Sequence, residues 1–165
     1  MEKEIQQVIE VFDKLEISYQ LIEHPPLYSA KIIKDLKIDF KGATCCKNLL
    51  LKDEKTKELY LFSLAVEKRA DLKKLAKKLR SNRLTFATEE ELITNLGVTS
   101  GNVSLLNIIL CQKTKVTFVI DKNLLEADEV CFHPNKNTAS IIYPSWQMEH
   151  ILKEYGAEYI FIDMS

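Results

Sequence analysis

The chain of 165 residues carries 23 Lys and Arg against 24 Asp and Glu, a formal net charge of −1, with 46% hydrophobic and 28% charged residues. That length predicts a single domain over residues 1–165 that buries about two-thirds of its unfolded surface, and four Gly and four Pro are too few for a disordered or linker-rich chain. No apolar run approaches the roughly 18 residues of a membrane span, MEKEIQQVIE lacks the apolar core of a secretion signal, and a charge near zero excludes a surface coated with positive charge for nucleic acid, though not a local patch.

In chain order, Ile5, Val8, Ile9, Phe12 and Leu15 form one stripe of an amphipathic helix. A short strand from Ser18 to Ile22 follows, then His24-Pro25-Pro26, which must extend or turn because each proline biases its predecessor away from helix. Ser29 is placed to cap a second helix running to Leu36. Cys46 to Lys52 reads as a buried strand and Leu59 to Ala65 as its return, a hairpin across the polar turn Asp53 to Lys57. Lys68 to Arg83 reads as a helix with Leu72, Leu75, Ala76 and Leu79 inward. Thr88 to Glu91 is a capping box that opens another helix, running to about Asn95.

Gly97 to Asn102 is the most loop-like stretch. Strands are expected at Lys115 to Ile120, Glu129 to Phe132 and Ala139 to Ile142, then a helix from about Pro144 to Tyr155, Gly156 as its C-terminal cap and a last strand from Tyr159 to Ile162. The alternation is too irregular for a doubly wound parallel sheet. The fold class is therefore α/β or α+β, a mixed sheet with helices packed around it.

The usual nucleotide-binding and hydrolase signatures are absent: the chain has no GxGxxG, GxxxxGK[ST], HExxH or GxSxG. Of the four cysteines, Cys45 and Cys46 are adjacent, and Cys111 and Cys131 lie far off, so no metal-finger spacing exists. Neighbours on a strand point to opposite faces, which predicts one of Cys45 and Cys46 in the core and the other outside it. Free thiols of this kind suit a reducing cytoplasm. His150 reads as a surface residue of a helix. His24 and His133 each precede proline in an irregular segment, the setting of satisfied turns and also of sites.

Residues 68–83 carry eight basic side chains (Lys68, Arg69, Lys73, Lys74, Lys77, Lys78, Arg80 and Arg83) against Asp71, a local sum of +7 that leaves −8 for the rest. Such a stretch is either a solvated face or a phosphate contact, and without interleaved aromatics it does not read bases. Lys47 heads the strongly apolar strand Lys47-Asn48-Leu49-Leu50-Leu51. A lysine there must reach water, a carboxylate or an anionic ligand, since an unpaired buried ammonium is costly.

Five segments in order, His24-Pro25-Pro26, Lys47-Asn48-Leu49, Lys68-Arg69-x-Asp71-Leu72-Lys73-Lys74-Leu75-Ala76, Gly97-Val98-Thr99-x-Gly101-x-Val103-Ser104 and Phe132-His133-Pro134-x-x-Asn137-x-Ala139, resemble the YbaK/ProX family of aminoacyl-tRNA deacylases, which includes the editing domain of bacterial prolyl-tRNA synthetases. The similarity is greatest to the free-standing ProX or PrdX type that clears alanine from proline tRNA, and it spans residues from about 4 to 163. The resemblance implies a compact, partly barrel-like mixed sheet surrounded by helices. It also implies hydrolysis of the ester joining a wrong amino acid to the 3′-terminal adenosine of tRNA, without cofactor, metal or covalent intermediate.

By the same resemblance, Lys47 and Gly101 would be catalytic. His24, Asn48, Val98, Thr99, Asn102, Ser104, His133 and Asn137 would bind substrate, and Lys68, Arg69, Lys73, Lys74, Lys77 and Lys78 would meet the tRNA. The implied partners are mischarged tRNA, tRNA(Pro) above all, and prolyl-tRNA synthetase in transient association, with no membrane. Ester hydrolysis puts negative charge on the carbonyl oxygen, which backbone N–H groups and a nearby ammonium stabilise. In the family pattern the adenosine's 2′-hydroxyl helps to position water, so no protein base is needed. The same chemistry on Cys-tRNA(Pro) or a Ser- or Thr-charged tRNA, and a catalytically silent module that binds aminoacyl-tRNA or a free amino acid, are the alternative readings. One departure stands out: many relatives have proline four residues past the second loop glycine, where this chain has Leu105. Proline would fix φ and hold the loop.

Overall fold

A computed structural model describes residues 1–27, 30–111 and 115–165. Its elements, in order, are helix α1 (Lys3–Lys14), strand β1 (Gln20–Glu23), helix α2 (Ala30–Asp35), strands β2 (Thr44–Asp53) and β3 (Leu59–Ala65), helix α3 (Leu72–Leu79), strand β4 (Leu84–Phe86), helix α4 (Glu89–Leu96), strands β5 (Thr117–Asp121), β6 (Glu129–Phe132) and β7 (Ala139–Pro144), helix α5 (Gln147–Glu154) and strand β8 (Tyr159–Ile162). Three short 3₁₀ turns occupy Ser100–Asn102, Leu105–Ile109 and Lys122–Glu126. The expected cap at Ser29 lies outside the described residues.

The eight strands form one mixed sheet in the order β1-β7-β6-β2-β3-β5-β8, with β4 also against β2. This is the mixed α/β class expected of the sequence. β2 is the hinge of the architecture. Its first residues, Thr44 and Cys45, pair in parallel with Val130 and Cys131 of β6. From Cys46 to Lys52 it pairs antiparallel with β3, and Leu51 to Asp53 also pair with β4. The two halves of the sheet therefore diverge at Cys46 and Lys47.

The core follows from the pattern of apolar residues. Ile5, Val8 and Phe12 of α1 are buried, and the Phe12 ring meets Tyr143 edge-on at 5.1 Å. The apolar run Leu105, Leu106, Ile108 and Ile109 is wholly buried in the same cluster, forming the second 3₁₀ turn rather than a strand or helix. Burial of this kind contributes about 1.5–3 kcal/mol for each large aliphatic side chain. The adjacent cysteines do not divide into inside and outside as expected. They do face opposite ways, but both faces are covered: Cys46 packs on the cluster containing Phe12 and Leu105, and Cys45 on a small cluster of Leu27, Phe40, Cys131 and Ile142.

The basic segment also differs from its expected single helix. Asp71 caps α3 by accepting from the Lys74 N–H at 3.1 Å, and Arg80 ends it in the left-handed conformation at φ 55°. Lys68 and Arg69 thus precede the helix. Arg83 leads into β4, a strand too short to leave a periodic signal and created by pairing with β2. Asp53 ties that turn to the β2–β3 hairpin turn, accepting from Asn82 in the one and from Lys55 and Thr56 in the other. Burial of Asp53 opposes its ionisation, yet these donors outweigh burial and hold its carboxyl at about 2. The expected capping box at Thr88 and Glu91 is formed, whereas α5 starts at Gln147 because Pro144 closes β7.

Candidate active site

Where the sheet halves part, β2, β6, β7, α2 and the 3₁₀ turn at Ser100–Asn102 enclose a cavity of about 520 Å³. Its wall contains Lys47, Asn48, Gly101 and His133, four residues drawn from three distant sequence segments. The rest of the lining is mostly apolar or thiol, with Leu27, Ile33, Phe40, Cys45, Cys46, Cys131 and Phe132, and Ser100 and Ser140 add hydroxyls. The volume is that of a site for a small organic ligand, and a few convergent polar groups on an apolar wall are the usual form of one.

Lys47 is half-buried on β2 and, among the described residues, its ammonium makes neither an ion pair nor a hydrogen bond. The salt-bridge alternative raised by its sequence position is not the arrangement found. Asn48, next in the strand, accepts at Oδ1 from the Ser63 hydroxyl at 2.7 Å and from the Leu105 N–H at 3.1 Å. His133 donates from Nδ1 to the Ala139 carbonyl at 3.2 Å. Burial lowers its pKa below the ordinary histidine value, with the nearby His24 adding to the effect against the Ala139 hydrogen bond. The ring is therefore neutral near pH 7, and Nε2 is left as an acceptor.

His24 stands behind this wall rather than in it. Its ring lies 6.3 Å from that of His133. Nδ1 donates to the Pro25 carbonyl at 2.8 Å, so in the neutral ring Nε2 accepts from the Ser140 hydroxyl at 2.7 Å. The sequence feature His-Pro thus serves to position Ser140. Three thiols share the floor. Cys131 donates to Cys45, which depresses the Cys45 pKa and, with burial, raises that of Cys131; burial, with the Cys45 thiol, pushes Cys46 up. Among the described residues no group of three or more His, Cys, Asp or Glu is arranged to hold a metal ion.

The loop bearing Gly101 is held by side-chain amides. Asn102 donates to the Thr99 hydroxyl at 3.2 Å and accepts from the Asn137 N–H at 2.9 Å, tying the two loops together. Ser104 and Asn107 form a reciprocal cap. Asn107, fully buried, also donates to the Asn102 carbonyl at 3.1 Å and to Asn135 at 2.8 Å. Thus Thr99, Asn102, Ser104 and Asn137 frame the cavity without lining it, and Val98 is buried in the core. The place that a proline would occupy is stabilised here by polar bonds that Leu105 itself joins through its N–H.

The basic segment is divided in its duties. Lys68 is paired with the fully buried carboxylate of Asp121, and Lys74 donates to the Met164 and Ser165 carbonyls at 2.9 and 2.7 Å. Arg69, Lys73, Lys77 and Lys78 are exposed and, among the described residues, their side chains form neither hydrogen bonds nor ion pairs. Sequence reasoning did not single out Cys45, Cys46, Cys131, Ser100 or Ser140 as cavity residues. For Cys45 and Cys46, adjacency to Lys47 was a usable signal. For Ser140 there was none, because it reaches the wall only through the β1–β7 and β6–β7 pairings.

An eight-stranded mixed sheet with this cavity at its parting defines an editing-domain architecture, and the profile of the aminoacyl-tRNA editing domain matches residues 24–151. The chain belongs to the aminoacyl-tRNA editing domain family. It is 36% identical over 160 residues to the prolyl-tRNA editing protein ProX of Acetoanaerobium sticklandii, covering 96% of both chains. It is also 32% identical over 161 residues to the prolyl-tRNA synthetase associated domain-containing protein 1 of Xenopus laevis, covering 95% of both. The fold matches a crystal structure of a candidate trans-editing enzyme for prolyl-tRNA synthetase with a TM-score of 0.72 at 19% identity, over 100% of this chain and 99% of that one. Among the described residues no helix is long and apolar enough to cross a membrane.

Proposed function

We propose that this protein, acting as one domain over residues 1–165, is a free-standing editing hydrolase that removes a wrong amino acid from tRNA, with Ala-tRNA(Pro) as its principal substrate. The observation that carries the reading is Lys47, a half-buried cation with no protein partner among the described residues, on the wall of a ligand-sized cavity beside Gly101 and His133. A half-buried ammonium left unpaired calls for an anion. In ester hydrolysis the anion is the oxygen of the tetrahedral intermediate or the terminal phosphate of the tRNA.

In this reading Lys47 and the backbone N–H groups around Gly101 stabilise the developing oxyanion. The neutral His133 Nε2 accepts from the α-ammonium of the bound amino acid, and the terminal adenosine's own 2′-hydroxyl positions the attacking water. The cavity is larger than an alanyl group needs and suits the aminoacyl-adenosine as a whole. The apolar and thiol floor receives a small side chain, and the steric sieve excludes the proline ring. Arg69, Lys73, Lys77 and Lys78 meet the tRNA backbone. Prolyl-tRNA synthetase, which makes the error, is the natural transient partner. The name of the ProX relative supports the choice of tRNA(Pro).

The test is hydrolysis of a panel of Ala-, Cys-, Ser-, Thr- and Pro-charged tRNA(Pro) by wild type and Lys47→Ala. Ala-tRNA(Pro) is expected to be cleaved fastest and the variant to lose about 100-fold or more in kcat, the scale of one oxyanion-stabilising group. Equal rates for the two proteins would refute the role of Lys47. Preference for another amino acid would move the substrate assignment, and tight tRNA binding without cleavage would replace hydrolysis with a binding role.

A further inference from the structure

Asn48 has an amide whose orientation is decided by its neighbours. A backbone N–H can only donate, so the Asn48 atom 3.1 Å from Leu105 N is the carbonyl oxygen Oδ1. The Ser63 hydroxyl donates to the same oxygen at 2.7 Å. An amide oxygen has two lone pairs, and these two donors fill them. Nδ2 has no partner among the described residues, and it is not among the buried polar atoms that lack one. It is therefore reachable, and Asn48 lines the cavity beside Lys47.

We infer that Ser63 is a positioning residue for the hydrolysis: with the Leu105 N–H it pins the Asn48 carbonyl, so that the Asn48 NH2 is presented to the cavity as a fixed donor to the substrate's ester. The inference rests on the cavity being the site of hydrolysis proposed above. Ser63 is only 1% exposed, directly opposite Asn48 in the β2–β3 register, and so acts through Asn48 and not on the tRNA. Its partner in the task explains what Leu105 contributes. A proline at 105 would have no N–H to give, and the carboxamide would rest on Ser63 alone. A donor held before the substrate arrives costs no reorganisation during reaction, which is where such donors gain their effect.

Three proteins decide it: wild type, Ser63→Ala and Asn48→Asp. The aspartate keeps an acceptor for both donors, but it both removes the NH2 and adds a carboxylate charge in the cavity beside Lys47, so its kcat is read together with the NH2 resonances of Ser63→Ala, a variant that adds no charge. With Ala-tRNA(Pro), Ser63→Ala is expected to lose about 10-fold in kcat with KM within about twofold, and Asn48→Asp about 100-fold in kcat. In ¹H–¹⁵N spectra of the free protein the Asn48 side-chain NH2 pair, assigned by its loss in Asn48→Asp, is expected to move and broaden in Ser63→Ala. It is also expected to shift in wild type on addition of 3′-deoxy-3′-(L-alanylamino)adenosine, an amide-linked analogue that is not hydrolysed. Unchanged Asn48 NH2 resonances in Ser63→Ala, or wild-type kcat in Asn48→Asp, would overturn the inference. If wild type cleaves none of the charged tRNAs while the Ser63→Ala spectrum changes as expected, it is the hydrolase reading that fails and the pinning of Asn48 that stands.

Discussion

Replacing Asn107 by alanine tests what holds the Gly101 loop. The side chain is fully buried and makes three hydrogen bonds: Oδ1 accepts from Ser104 N at 2.8 Å, and Nδ2 donates to the Asn102 carbonyl at 3.1 Å and to Asn135 Oδ1 at 2.8 Å. At about 1 kcal/mol net for each bond the loss is roughly 3 kcal/mol, and leaving the Ser104 N–H buried without a partner adds about 1–2 more. The expected destabilisation is about 4–5 kcal/mol, which in a chain of this size lowers Tm by roughly 8–20 °C. Urea unfolding followed by circular dichroism measures the first figure and a thermal scan the second. Asn107→Asp is expected to be nearly as costly, because it removes both donors and sets a carboxylate against the Asn135 oxygen. A loss below about 1 kcal/mol in Asn107→Ala would refute the reasoning and leave the apolar packing of Leu105, Leu106, Ile108 and Ile109 as the loop's support.

Three further predictions follow from the same geometry. Replacing Lys73, Lys77 and Lys78 together by alanine should weaken tRNA binding and reduce the slope of log K against log salt by about 2–3, whereas Lys74→Ala should mainly loosen the C-terminus it holds; filter binding across a salt series reads both. His133 has a lowered pKa in the folded protein, so on acidification the unfolded chain takes up this proton first, from about pH 6.5 downward. Stability is thus fully present above that pH and is lost as pH falls towards the folded pKa. His133→Gln should flatten this part of the stability curve, and parallel curves for the two proteins would count against a neutral buried ring. Tyr143 is fully buried and its hydroxyl has no hydrogen-bond partner among the described residues. Tyr143→Phe should therefore raise stability by about 1 kcal/mol in urea unfolding, and a destabilised variant would show that the hydroxyl is satisfied in solution.

The elements legible in the sequence were those whose signals are local. Thr88 and Glu91 announce their capping box through spacing, Gly156 sits in its left-handed place after α5 at φ 64°, and the Cys46–Lys52 and Leu59–Ala65 hairpin needs only its own apolar runs. What stayed hidden depends on partners far away in the chain. The strand Leu84–Phe86 exists because Asp53 gathers the turn before it and β2 offers an edge. The basic segment breaks at Arg80 because Leu84 has to reach that edge, a demand invisible to helical periodicity. In the cavity, Lys47, Asn48, Gly101 and His133 were readable as motif positions, while Ser63 was not. It is an ordinary strand serine until register sets it opposite Asn48.

The interleaving of the sheet has a consequence for biosynthesis. β1, made first, waits for β7, and β3 and β5 lead out to β8 at the far end of the chain. Lys47 cannot face His133 until the ribosome has released most of the polypeptide. Pairings so distant in sequence are slow to close, and during translation the edges of β1 and β2 stand open to other strands. Nascent chains stalled before residue 139 should therefore be recognised by chaperones and lack a formed cavity. An activity of this kind switches on only when nearly the whole chain is present, so truncated products of the gene would offer tRNA no partly competent editor.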